Sequence, residues 1–211
     1  MTAAGRRWLL AASAAVGFVA LLLIALTAMA PAEESKGLPV PGPDSADVGF
    51  ARDMAEHHQQ AVEMSFLVRD RTDDEEIRLL AYDIINTQAN QRGMMLGWLD
   101  EWGAPKTTDR PRMAWMGGAH AERGTAVRDG TMPGMATEEQ LEQLRNAEGR
   151  DAEVLYLRLM TAHHQGGIEM AQAAADQAET EVVRRLAAGM VVAQRSEIEQ
   201  MADLLAARGA A

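Results

Sequence analysis

Four of the five histidines in this 211-residue chain stand in two adjacent pairs, His57-His58 and His163-His164. Each pair has a methionine three residues before it and another six residues after it, Met54 and Met64 in the first copy and Met160 and Met170 in the second. Imidazole and thioether together, without thiolate, form a donor set suited to copper: the thioether selects soft Cu(I), and the imidazole accepts Cu(II) as well. The absence of cysteine removes disulfides, zinc-thiolate sites and thiol nucleophiles. Methionine is abundant instead, 14 in all and 12 of them beyond residue 30. A methionine stripe argues against zinc and iron, whose usual donors are harder. A di-iron bundle would need Glu-x-x-His on paired helices, and no glutamate stands three residues before any of the paired histidines.

Helical geometry, about 100° per residue, puts Met54, His57, Ala61 and Met64 along one face with His58 on its flank. Adjacent histidines diverge by that same angle, so one straight helix struggles to chelate one ion through both. A shared site needs ligands from neighbouring helices, and the second copy provides them. The copies align without a gap at an offset of 106: Phe50 on Tyr156, Gln59 on Gln165, Glu63 on Glu169, and beyond the motif Arg78 on Arg184, Leu80 on Leu186, Gln88 on Gln194, Met95 on Met201 and Gly103 on Gly209. The repeated unit is therefore a whole helical hairpin. Antiparallel pairing about a turn near residue 71 sets Gln88 level with Met54 and His57, and Gln194 level with Met160 and His163, where each glutamine is expected to orient an imidazole.

These elements imply an all-α fold, a four-helix bundle made of two repeated hairpins. Few aromatics (4%) and many Ala, Leu, Glu, Arg and Met residues favour helix over sheet. The first helix is expected from Ser45 or Asp47 to Arg69, and Thr72 to Glu75 reads as a capping box opening the second, which ends at Gly103. Repeat one spans about 47–103 and repeat two about 137–209, within a domain at 46–211. The connection at 104–136 carries Met113, Met116, His120, Met132 and Met135, a second and weaker set of candidate metal ligands. Thr137 to Gln140 forms another capping box, a break falls near Gly149, and the last helix runs from Glu181 to Arg208. Glu63, Glu169 and the acidic runs at 73–76 and 138–139 read as solvated faces and caps.

Ahead of the bundle, Arg6-Arg7 and the uncharged run Trp8–Ala30 form a basic end and an apolar helix. Residues 1–32 read as a signal peptide, with Ala30-Pro-Ala32 offering a cleavage site, or as a transmembrane anchor, since 23 apolar residues span a bilayer. Either way the rest of the chain is exported. Residues 33–45 are a Pro/Gly-rich tether. A net charge of −11 argues against nucleic acid as a partner.

Both copies resemble the Met-x-x-His-His core of the domain-of-unknown-function family 305, which includes CopM-like copper-binding proteins. The Met132-Pro-Gly-Met135 run resembles that family too. The resemblance covers about residues 45–208. It implies a ferritin-like four-helix bundle, exported, that binds copper and contributes to metal tolerance, with Met54, His57, His58, Met64, Met160, His163, His164 and Met170 as ligands. Gly166-Gly167 departs from Gln60-Ala61 of the first copy, a change expected to loosen the second helix.

The sequence thus points to an extracytoplasmic copper-binding protein rather than an enzyme, since no nucleophile–base pair or oxyanion site is evident. Two alternatives stay open: a structural or interaction bundle whose His-Met face is core, and a copper redox enzyme.

Overall fold

The computed structural model describes residues 40–117 and 131–210. His120 and the expected signal or anchor at 1–32 lie outside the described residues. The described chain is all helical: α1 (Ala46–Arg69), α2 (Glu75–Glu101), a 3₁₀ turn (Ala114–Met116), the short α3 (Glu138–Asn146), α4 (Gly149–Gln177) and α5 (Glu181–Ala207). The expected four-helix bundle is present, with α1–α2 and α4–α5 as its two hairpins. Among the described residues no helix is long and apolar enough to cross a membrane.

Helix ends follow local capping chemistry, with one correction. Ser45 caps α1 by accepting from Val48 N (3.3 Å). Thr137 and Gln140 form the expected reciprocal box at α3. At α2, however, the cap is Asp74, which accepts from Ile77 N at 3.0 Å, and not Thr72. Thr72 is buried and donates instead to Glu153 of α4 at 2.5 Å. Glu153 also accepts from Arg208 Nε at 2.6 Å, and Arg208 pairs with Asp74 at 2.9 Å. The side chain read as a local cap thus ties the α1–α2 turn to the second hairpin. At the opposite end, buried Asp47 of α1 accepts from Glu179 N (2.8 Å), Thr180 N (2.9 Å) and Thr180 Oγ1 (2.5 Å) in the α4–α5 turn.

The hairpins meet along α1 and α4. These run antiparallel, as shown by Asp47 against Thr180, His57 against His163 and Ser65 Oγ against the Tyr156 hydroxyl (2.9 Å). In α1, 15 of 24 residues are buried, and in α4, 14 of 29, against 7 of 27 in each of α2 and α5. So α1 and α4 are the inner pair, while α2 and α5 each bury a single stripe. The core forms two clusters, one on each side of the histidines. Met54, Met95, Met116, Met132, Met170 and Met190 share the first. Met64, Met160 and Met201 share the second.

The glycine pair in α4 does not break the helix, which runs continuously through it. A Cβ on Gly166 would fall inside contact distance of the Pro133 carbonyl, and one on Gly167 would lie 2.5 Å from Gln194 Oε1. These glycines therefore make room for two close approaches and are not weak points in the helix. Gly166→Ala should destabilise the protein by about 1–3 kcal/mol through overpacking. Gly189→Ala, exposed in α5 with open space around its Cβ, should stabilise by about 0.5–1 kcal/mol. Urea unfolding of the two variants checks both signs.

Candidate metal centre

His57 and His58 lie near the middle of α1, and His163 and His164 near the middle of α4; all four have no exposed surface. Their adjacent positions aim them at different interfaces. His57 and His163 meet between α1 and α4, with ring centroids 3.8 Å apart and planes inclined by 33°. His58 turns to α2, where its Nε2 lies 2.8 Å from Gln91 Oε1. His164 turns to α5, where its Nε2 lies 2.6 Å from Glu197 Oε2.

Every ring uses the same nitrogen in the same way. His57 Nε2 is 3.1 Å from the Pro133 carbonyl, and His163 Nε2 is 3.0 Å from the carbonyl of His57 itself. A carbonyl or carboxylate oxygen can only accept, so these Nε2 atoms must carry the proton. With its amide oxygen turned to the ring, Gln91 accepts from the same nitrogen of His58. In the neutral ring the lone pair is then left on Nδ1. All four Nδ1 atoms are buried and have no hydrogen-bond partner. Burial pushes the pKa of His57 down to about 4 and that of His58 down to about 3. Burial likewise drives His163 well below its ordinary value, aided by the neighbouring imidazoles. These three rings are neutral at pH 7, the form in which imidazole binds a metal.

Each unpaired buried acceptor costs about 1–3 kcal/mol. Three of them, on the rings that burial keeps neutral, together cost a large share of the roughly 5–15 kcal/mol by which a whole domain is stable. That makes the layer a costly way to pack a core and a suitable way to present nitrogen lone pairs to a cation. Among the described residues, no three His, Asp or Glu side chains converge as a ready-made ligand set. Any ion held here must therefore complete its shell with other donors, and the flanking clusters hold thioethers. Met54 and Met170 belong to one cluster and Met64 and Met160 to the other, so each copy contributes a sulfur on each side.

The described ends of the connection between the repeats close over this layer. Beyond the contact with His57, Gln60 Nε2 donates to Ala136 O (2.9 Å) and its Oε1 accepts from Ala136 N (2.7 Å). Gly134, with φ of +75°, packs where a Cβ would strike the Ala162 carbonyl. Asp53 holds the other end, accepting from Met113 N (2.8 Å) and from Trp115 Nε1 (2.9 Å). Trp115 lies over Gly49 and meets Phe50 edge-on at 5.9 Å. The weaker candidates Met116 and Met132 are thereby buried in the cluster of Met54 and Met170, with Met113 and Met135 packed against it.

The expected role of Gln88 needs correction. Gln88 and Gln194 are buried, but Gln88 has neither amide atom paired and Gln194 leaves its Oε1 unpaired, so Gln88 does not orient an imidazole. Gln91 and Glu197 do so, for His58 and His164. Sequence reasoning missed them, yet both stand 33 residues after the histidine they hold, at positions related by the same offset of 106. That paired spacing was the available signal.

The same helical framework recurs in known proteins. The chain belongs to the family described as Domain of unknown function (DUF305), whose sequence model matches residues 47–205. Its fold is shared with a candidate secreted DUF305 protein from Streptomyces coelicolor, 58% identical, covering 80% of this chain and 97% of that one at a TM-score of 0.73. A DUF305 fragment from Deinococcus radiodurans is 33% identical, covering 76% of this chain and 95% of that one at a TM-score of 0.62. CopM in its Cu(II)-bound form is 26% identical, covering 76% of this chain and 95% of that one at a TM-score of 0.56. CopM has also been solved in Cu(I)-bound, Ag-bound and apo forms. Among curated proteins, none matches the chain significantly.

The buried neutral rings make the protein sensitive to acid. In the folded state His57, His58 and His163 stay neutral below the ordinary value of 6.5, whereas the unfolded chain protonates them there. The unfolded state then binds more protons, so stability is complete above 6.5 and declines as pH falls towards the folded pKa of about 4 for His57. The decline should reach about 1.4 kcal/mol per pH unit for each histidine. Urea midpoints measured between pH 7 and pH 4 check this. A flat profile would contradict neutral buried rings.

Proposed function

We propose that this protein is a copper-binding protein that works outside the cytoplasm, favouring Cu(I) over Cu(II), and that it sequesters the ion or hands it on. The observation that carries this reading is the layer of four buried imidazoles, each with its Nε2 engaged and its Nδ1 bare. Each of His57, His58, His163 and His164 would offer its Nδ1 to bound copper, with thioethers drawn from Met54, Met64, Met160 and Met170. Met113, Met116, Met132 and Met135 would add soft donors in and beside the cluster of Met54 and Met170. The mixture of imidazole and thioether fits copper in either oxidation state. The copper- and silver-bound forms of CopM support the same choice of ion for this fold. The basic, apolar N-terminal run and the candidate secreted relative from Streptomyces coelicolor support export. The net charge of −11 would help gather cations at the surface. No catalytic step is part of this reading.

A packing role is the second reading, and one observation favours it: among the described residues no three His, Asp or Glu side chains converge. The two readings part on simple measurements. Copper binding predicts that Cu(I), titrated against a competing chelator under reducing conditions, binds stoichiometrically and raises the melting temperature. At a free ion level of about 100 times Kd the gain is about 2.7 kcal/mol. Replacing His57 and His163 together by leucine should abolish that binding and leave helicity by circular dichroism intact. A packing role predicts that the same variant keeps or gains stability and that copper changes the melting of neither protein.

A further inference from the structure

The two halves of the histidine layer are equivalent by repeat and unequal by chemistry. His58 and His164 occupy matching positions, and so do their partners Gln91 and Glu197. Yet one imidazole donates to a neutral amide at 2.8 Å and the other to a carboxylate at 2.6 Å. The carboxylate is not a surface accident: Glu197 has a side chain only 22% exposed, and its partner is fully buried. Each contact bridges a hairpin internally, α1 to α2 and α4 to α5, so each half has its own partner and no shared one.

Glu197 fixes the tautomer of its ring, Gln91 holds the same one through its amide oxygen, and both leave Nδ1 as the donor atom. They differ in what they do to that donor. A carboxylate accepting the Nε2 proton pushes electron density into the ring and places a negative charge one ring away from the ion, whereas an amide orients the ring without adding charge. Resting on the copper reading above, we infer that Gln91 and Glu197 are the positioning residues of the metal layer, and that Glu197 makes the His164 half the tighter of the two. The duplicated bundle is then a graded binder, filling its second-repeat half first. Neither residue is a ligand itself; each acts through the histidine it holds.

The experiment uses the full chain in four forms: unaltered, Glu197→Gln, Gln91→Glu, and the exchange of both. Imidazole nitrogen chemical shifts of the metal-free protein report which nitrogen carries the proton. Titration with Cu(I) against bicinchoninate gives affinity, and the order in which the His58 and His164 resonances shift during the titration tells which half fills first. The expected result is Nε2 protonation at both rings in the unaltered chain, with His164 responding first. Glu197→Gln should keep the tautomer and weaken the tightest step by about 10- to 100-fold. Gln91→Glu should strengthen the weaker step by a similar factor, which needs a gain and so cannot come from damaged folding. The exchange should restore the tight step and move it to His58. Equal affinities in the unaltered chain and both single variants overturn this inference and leave copper binding standing. An Nδ1 proton on His164 also overturns it. No copper uptake by the unaltered chain removes the copper reading and this inference together.

Discussion

A buried imidazole cannot satisfy both of its nitrogens from its own helix, and four such rings in one layer turn that limit into a rule for the surrounding fold. Each ring must have one acceptor delivered to Nε2 from elsewhere. His163 takes the carbonyl of His57, which ties α4 to α1 at their crossing. His57 takes the carbonyl of Pro133, which brings the inter-repeat connection down onto the layer. His58 and His164 take side chains from α2 and α5, which fixes the register of each hairpin. The inner helix pair, the connection and both outer helices are thus positioned by one kind of hydrogen bond, while the apolar clusters on either side supply the burial that holds them there.

The connection shows how far this requirement reaches. Pro133 has no N–H of its own, so its carbonyl can face the histidines without a neighbouring donor of the same residue needing a partner. Gly134 and Gly166 remove the two Cβ atoms that would keep that carbonyl away. Gln60 grips the backbone of Ala136 through both of its amide atoms. A pattern that reads in sequence as a methionine-rich loop is in the fold a lid stitched to α1 and α4, and its methionines enter the core because the backbone is held there.

Much of this architecture is legible in the amino-acid sequence. The Met-x-x-His-His repeat, its constant offset and the helical stripes come from periodicity, which a single chain displays plainly, and they lead to the paired hairpins and the buried histidines. Partners across helices are harder. Opposing positions in an antiparallel hairpin can be estimated only to within about a turn, or 3.6 residues, and that error separates Gln88 from Gln91. Thr72 misleads for a related reason: a Thr-x-x-Glu string looks the same whether its hydroxyl caps the next helix or reaches Glu153 in another hairpin. The Gly166-Gly167 pair reads as weakness when only local helix propensity is considered, and as accommodation once the Pro133 carbonyl and Gln194 are seen against it.

The places where the two copies diverge follow from having one connection and two repeats. A single strand of chain cannot pass over two equivalent positions in equivalent ways. At one of them Gln60 holds it, and at the repeat-related position Gly166 makes room for it. The aromatic pair divides similarly, with Phe50 packed on Trp115 of the connection and Tyr156 bonded to Ser65 of the other inner helix. Once the connection has broken the symmetry around the inner helices, nothing holds the outer partners to identity, and Gln91 and Glu197 differ in charge. The duplication supplies two copies of the same histidines and methionines, and the single connection covers them unequally.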